Sequence, residues 1–282
     1  MIFSFSNQIQ GCSTNNMGLK IGNLPVANYM TPYPILVNPH VSFTEAVDFM
    51  AERGFGNLII SDGTIPKGIF TEREILRAVA LSKDTSELKV GDIGFQPYVK
   101  ITPGHTILDA SKTMISKKSR LLVFDDDKLV GIITASDMLR AFRKTSLAPT
   151  LDEVTSTNII KCQCSDTILD AVKILHEKKI GSVIIDNMKG YGIFTERDLL
   201  VYVLANNVDL NGQVGGYSSS PLTVAELGIE GNEAASVMAA QNIKRLGLIK
   251  KGKLVGIVTA RDIVDAYQSD QITNPWLEQI GG

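Results

Sequence analysis

Long apolar runs are missing from this chain. No stretch reaches about 18 uninterrupted apolar residues, so no transmembrane helix is predicted and the protein is expected to be soluble, without membrane contacts. Cysteine is scarce as well. The three present, Cys12, Cys162 and Cys164, are too few and too clustered for a disulfide framework, which points to a reducing, cytoplasmic compartment. Charge of one sign is also lacking: 28 Lys+Arg against 30 Asp+Glu leave no electrostatic footprint for sequence-independent nucleic-acid binding, and no basic recognition helix occurs. A Ser-His-Asp arrangement, a Walker loop and a Rossmann fingerprint are all absent, so no enzyme is expected. Cys162-Gln-Cys164 followed by His176 raises a metal site, but a structural zinc needs four ligands and no second Cys or His cluster exists. His40 and His105 stand in turns ahead of helices and read as capping or hydrated groups.

What the chain has in abundance is repetition. Gly-Ile-x-Thr-x-x-acid occurs four times, at Gly68 to Glu74, Gly131 to Asp137, Gly192 to Asp198 and Gly256 to Asp262. The threonines, Thr71, Thr134, Thr195 and Thr259, stand 63, 61 and 64 residues apart, so the chain reads as four copies of one unit. An alanine preceded by an acid recurs 24 or 25 residues ahead of each, as Ala46, Ala110, Ala171 and Ala234. Ser42-x-x-Glu45, Thr106-x-x-Asp109 and Thr167-x-x-Asp170 are capping boxes that open a helix in the first three units.

Two short apolar runs around a polar turn follow each helix, for example Leu58-Ile59-Ile60, Asp62-Gly63 and Gly68-Ile69-Phe70, which predicts a β-hairpin. The motif threonine then starts a second helix with one buried face: Ile75, Leu76 and Val79; Met138, Leu139 and Phe142; Leu199, Leu200 and Val203; Ile263, Val264 and Tyr267. With a leading strand, each unit is β-α-β-β-α and the chain is an α/β protein. Only eight residues separate Val224 from Asn232, against sixteen between Val26 and Ser42, so the leading strand of unit four is expected to be shortened.

Units of about 60 residues are marginal alone, so they are expected to pair. Units one and three share Gly-Ile-Phe-Thr-Glu-Arg, while units two and four share Lys-Leu-Val-Gly-Ile and an Arg-Leu strand start. The expected layout is a disordered extension over 1–21, a first pair over 22–147 (units 22–84 and 85–147) and a second over 148–282 (units 148–210 and 217–270, then a tail, 271–282). The run Asn211 to Gly216 reads as a linker between units three and four.

This grammar resembles the CBS domain, named after cystathionine β-synthase, with the units arranged as two Bateman modules; the resemblance covers about Gly22 to Tyr267. It implies clefts that bind AMP, ADP, ATP or S-adenosylmethionine, with the motif aspartate on the ribose hydroxyls and the threonine or serine near ribose or phosphate. The residues make physical sense of that use. A helix N-terminus offers unpaired N–H groups and partial positive charge to a phosphate, and a first-turn carboxylate can accept from two adjacent hydroxyls. Thr-x-x-Glu and Thr-x-x-Asp are equally helix caps that need no ligand.

The choice of acid ranks the clefts. Glu74 in unit one is explained as a cap, since a capping box favours Glu and a ribose clamp the shorter Asp. In the resemblance, phosphate is met by basic residues at the partner unit's strand start, where the even units have Ser119-Arg120 and Lys244-Arg245. The best-equipped cleft therefore combines Thr195 and Asp198 with Lys244 and Arg245, and Arg197 can add to it. Thr134, Ser136 and Asp137, with Thr102 on the leading strand, form a second, and Thr259 with Asp262 a weaker third. The expected function is regulatory: a stand-alone protein that binds an adenine ligand and signals in trans to an unidentified effector, its modules packed on each other or across a homodimer. The competing reading is a scaffold whose motifs are caps only.

Overall fold

Ser42 starts the first helix as its spacing predicts. Its hydroxyl accepts the Glu45 N–H at 3.2 Å while the Glu45 carboxylate accepts the Ser42 N–H at 3.0 Å, closing two of the donors that a helix start leaves open. Thr106 with Asp109 repeats this opening, and at Thr167 the hydroxyl accepts the Asp170 N–H at 3.0 Å and donates to its carboxylate at 2.6 Å. The computed structural model describes residues 21–81, 84–187 and 190–273. The expected N-terminal extension apart from Ile21, and the tail beyond residue 273, lie outside them.

Unit one contains β1 (Thr31–Pro32), β2 (Leu36–Val37), α1 (Phe43–Arg53), β3 (Asn57–Ser61), β4 (Pro66–Thr71) and α2 (Glu72–Ala80). Unit two has a short helix, α3 (Val90–Ile93), then β5 (Tyr98–Ile101), α4 (Ile107–Lys117), β6 (Arg120–Asp125), β7 (Lys128–Ile133) and α5 (Ala135–Phe142). Unit three has β8 (Lys161–Gln163), α6 (Ile168–Glu177), β9 (Ser182–Asn187), β10 (Gly190–Thr195) and α7 (Glu196–Asp198), which widens into a π-helical turn over Leu199–Val203. Unit four has β11 (Val224–Glu226), α8 (Gly231–Gln241), β12 (Arg245–Lys250), β13 (Lys253–Thr259) and α9 (Ala260–Thr273). In every unit the leading strand runs parallel to the first strand of the hairpin, and the hairpin is antiparallel.

Two expectations are corrected here. The leading strand of unit four is not shortened: β11 makes three parallel pairs with β12, as β8 does with β9. The counterpart of Val26 is not Val224 but Val214, because both begin a short 3-10 turn that opens their unit. For the same reason Asn211 to Gly216 is not a free linker. Val214 is fully buried, its N–H donates to the Asp166 carbonyl at 2.9 Å, and the segment belongs to the start of unit four.

The units close into a ring by two alternating kinds of contact. Sheet faces join units one and two through Ile59, Ile69, Leu122, Phe124 and Ile132, and units three and four through Ile184, Ile193 and Leu222. Helices join unit one to three and unit two to four in two larger cores. The expected intramolecular packing of the two modules is therefore present. At the seam between units two and four the rings of Phe142 and Tyr267 stack with centroids 3.9 Å apart and 8° between planes, both side chains fully buried. The Tyr267 hydroxyl donates to the Leu147 carbonyl at 2.9 Å.

Leading segments are exchanged within each pair. The backbone of Gln96, from unit two, exchanges two hydrogen bonds of 2.8 Å with Ile69 of β4. In return β1 of unit one pairs with β7, Thr31 opposite Ile132. Ser219 of unit four bridges Ile193, and Ser156 of unit three bridges Ile257. Phe142→Ala removes one face of the stacked pair and most of its burial, so it is expected to lower stability by about 3–5 kcal/mol in urea unfolding.

Candidate ligand-binding clefts

At each motif the threonine ends a strand or, as Thr134 does after Ile133, directly follows one, and it stands just before the next helix, so the acid three residues on is folded back beneath it. In unit three the Asp198 Oδ2 accepts the Thr195 N–H at 2.7 Å and its hydroxyl at 2.6 Å. Oδ1 lies away from the cap and accepts the Ser219 hydroxyl at 2.8 Å, within a side chain that is itself buried. One oxygen completes the cap and the other faces the segment lent by unit four.

The other acids repeat the division with different donors. In unit two the Asp137 Oδ2 takes the Thr134 N–H and hydroxyl, both at 2.7 Å, while Oδ1 takes the Thr31 hydroxyl at 3.3 Å and the Arg140 guanidinium at 2.8 Å. In unit one Glu74 accepts the Thr71 hydroxyl at 2.6 Å and the Gln96 amide at 2.8 Å. Asp262 accepts the Thr259 N–H at 2.8 Å; among the described residues no exchanged side chain is recorded as its donor.

The donors Thr31, Gln96 and Ser219, and with them Ser156, were not identified from the sequence, although each stands 38 to 40 residues ahead of its own unit's motif threonine. The residue before each donor decides how open the cleft is. It packs over the neighbouring unit's motif glycine, where a Cβ would collide with Phe95 at Gly68, Met30 at Gly131 and Thr155 at Gly256. At Gly192 the neighbour is Ser218, whose hydroxyl lies 3.2 Å from where a Cβ would stand. This small side chain leaves the contact at Gly192 looser than at the other three motif glycines. Beside it lies a hollow of about 580 Å³ bounded by Tyr202, Tyr217 and the Ser218–Pro221 turn. Tyr202 follows Asp198 by one helical turn and is half exposed.

The basic residues divide. Arg245 lies against Gly181 at the start of β9 and lends positive charge to Asp198. Arg197 and Lys244, expected to line the same cleft, are instead drawn to Glu72 of unit one, at 3.2 Å and 3.8 Å. Arg120 faces the carboxylates of Glu74, Glu72 and Glu196, and burial pushes its guanidinium down from the ordinary value. Thr102 does not join Asp137. The parallel register of β5 and β6 puts it past Val123, at the far end of the strand from Arg120, where its N–H donates to His105 Nδ1 at 3.1 Å. Ser136 sits in the first turn of α5, between Thr134 and Asp137.

Cys162 is buried in the core shared by units one and three, and burial pushes its thiol up to about 11. The Cys164 thiol donates to the Asp186 carbonyl at 3.3 Å. Among the described residues no group of three His, Cys, Asp or Glu side chains could hold a metal ion, and no helix is long and apolar enough to cross a membrane.

The CBS-domain family matches residues 26–81, 90–144, 151–205 and 214–269, so this chain belongs to it. It is similar to the protein MJ1225 of Methanocaldococcus jannaschii, 26% identical over 197 residues that cover 64% of this chain and 70% of that one. It is 27% identical over 264 residues to MJ1404 of the same organism, covering 86% of this chain and 61% of that one, so the chain spans less than two thirds of that relative's length. Among solved structures, that of MJ1225, proposed as an archaeal homolog of g-AMPK, superposes with a TM-score of 0.72 at 15% identity over 86% of this chain and all of that one. A conserved protein from Pyrococcus horikoshii follows at 0.59 and 20% over 86% of this chain and 99% of that one. At these identities the likeness shows the fold.

Burial pushes the Asp198 carboxyl above the usual aspartate range, against the hydrogen bonds from Thr195 and Ser219 and the charge of Arg245. A carboxyl raised by folding favours the neutral form, so stability falls as pH climbs from the unfolded aspartate value through the raised one. Asp198→Asn keeps an oxygen for the Thr195 N–H and removes that loss. Its thermal stability is expected to match or exceed wild type at neutral pH and to depend less on pH in the weakly acidic range.

Proposed function

We propose that this chain has a regulatory role, binding an adenosine-containing ligand in the unit-three cleft and passing its state to a partner protein. AMP, ADP, ATP and S-adenosylmethionine share the parts the cleft would recognise. Asp198 Oδ1 takes the ribose hydroxyls, as it takes the Ser219 hydroxyl now, and Thr195 stands beside the ribose. Tyr202 and Tyr217 flank the base, and Arg245 meets the phosphate end with the N-terminus of α7 behind it. The observation that carries this reading is the small Ser218 side chain over Gly192, beside the Asp198 oxygen that accepts from Ser219 and not from the cap.

Unit two is a weaker site on the same reading, because Met30 covers Gly131 and Arg140 already neutralises Asp137. Unit one is closed by Phe95 and Gln96, so Glu74 and Arg120 serve the fold there. Thr259 and Asp262 bind least, in a cleft covered by Thr155. Signalling follows if the ligand shifts the packing of one module on the other, which requires it to bind the two packings unequally. The scaffold alternative, with clefts that stay empty, is favoured by the complete cap that every motif acid of units two and three already makes.

Thermal unfolding separates the two. A ligand at about a thousand times its Kd stabilises the folded state by about 4 kcal/mol, so at least one of AMP, ADP, ATP and S-adenosylmethionine should raise the melting temperature. Asp198→Ala and Ser218→Met, which recreates the unit-two cover, should each abolish the rise. No shift with any of the four, or a shift that survives Asp198→Ala, removes the assignment.

A further inference from the structure

The exchange between units closes the hairpin edge of each sheet and leaves the opposite edge to the leading strand. Among the described residues nothing pairs with the outer side of β2, β5, β8 or β11. An open edge is a template for another strand, and a charged side chain on it is a common safeguard. β5 carries Lys100, β8 carries Lys161 and β11 carries Glu226. β2 carries none, and no Lys, Arg, Asp or Glu occurs from Ile21 to Thr44 in a chain that is 21% charged. The edge is apolar instead: Tyr33, Ile35 and Leu36, on or just ahead of β2, are among the few large apolar side chains left exposed, Tyr33 at 89%.

The backbone of β2 sets what can pair there. The Ile59 N–H donates to the Ile35 carbonyl at 3.0 Å, and Leu36 is the residue in register with Ile59. In a parallel pair of that register Ile35 and Val37 turn their polar groups toward β3, so the N–H and C=O of Leu36 point outward. Two residues to either side the edge is uneven. Pro34 has a carbonyl and no N–H, while the Asn38 carbonyl is already taken by the Val41 N–H at 3.1 Å. An antiparallel strand of the same sequence centred on Leu36 sets Pro34 opposite Asn38 at both ends, so the missing donor meets the occupied acceptor.

A second copy of β2 meets these conditions, and its two-fold axis brings no like charges together. Pairing with β5, β8 or β11 of another molecule would be head-to-tail and would not close of itself. Leu36 also stands beside Ile59 of the apolar face between units one and two, so the paired leucines extend that face across the axis. We propose that the outer edge of β2 is a self-association surface, where two copies of this chain pair antiparallel about Leu36 into one continuous sheet. The proposal is independent of the ligand reading of unit three.

Sedimentation velocity of the full chain, over about a hundredfold range of micromolar concentration, tests it. Wild type is expected to pass from monomer to dimer and no further. Leu36→Lys and Leu36→Glu each set like charges on the axis and are expected to raise the dimer Kd by at least about tenfold, while an equimolar mixture of the two restores the dimer. Val224→Lys, on the edge of β11, is expected to leave association unchanged. Leu36 is already 40% exposed, so its variants are expected to fold; should they not, wild type still decides. A wild type that stays monomeric, or that grows beyond a dimer, overturns the proposal. A dimer that survives Leu36→Lys, or a mixture that fails to restore it, does the same. Dimerisation only after removal of residues 1–20 assigns the edge to that segment and overturns it as well.

Discussion

Each motif strand receives its last backbone partner from the neighbouring unit of its pair, and the binding properties of the four clefts follow from that exchange. The bridging residue must lie within backbone hydrogen-bond distance of the strand, as Gln96 does at Ile69 and Ser219 at Ile193. In units one to three its side chain then falls on the second oxygen of the motif acid, and in all four the residue before it falls on the motif glycine. A change of one side chain in an otherwise irregular segment, Phe95 or Met30 against Ser218, therefore opens or fills a cleft without disturbing the strand that presents the acid.

The same economy explains why the chain repeats in pairs. Sheet faces bury apolar residues between units of a module, and helices bury them between modules, so both sides of the hairpin layer are committed. Where the first turns of the motif helices meet, the odd units bring Glu72, Arg73, Glu196 and Arg197 together, while the even units have Ala135 and Ala260 against the apolar seam. Desolvation offsets much of the attraction in nearly buried pairs of this kind, so the seam is held chiefly by its apolar area and the ion pairs add little net stability.

The regular parts of this arrangement were legible in the sequence. A threefold recurrence of capping boxes and a fourfold motif register define units, hairpins and helix faces, because each depends on residues near one another in the chain. What was not legible depends on residues far apart. The spacing from Val224 suggested a truncated strand only because Val26 was matched to it instead of to Val214. Lys244 and Arg197 were placed correctly along the chain, but their partner Glu72 lies in the other module and nothing local announces it. Thr102 was misplaced because a leading strand and a motif helix can belong to one unit and still occupy opposite ends of its sheet. The exchanged segments left a usable trace, a distance to the motif threonine that varies by only two residues, but their bridging residues share no type beyond being polar.

Reciprocal lending of leading segments also limits how such a chain can grow or shrink. A unit without its neighbour would show an unbridged outer strand, with Ile69 or Ile193 lacking its main-chain partner, and an unpaired strand edge of that kind invites association with other chains. Loss or gain of a single unit is thus penalised twice, once in the unit removed and once in the one left behind. Evolution of this architecture by whole pairs is the path that never exposes an edge, and the parity of the repeat is a consequence of hydrogen bonding.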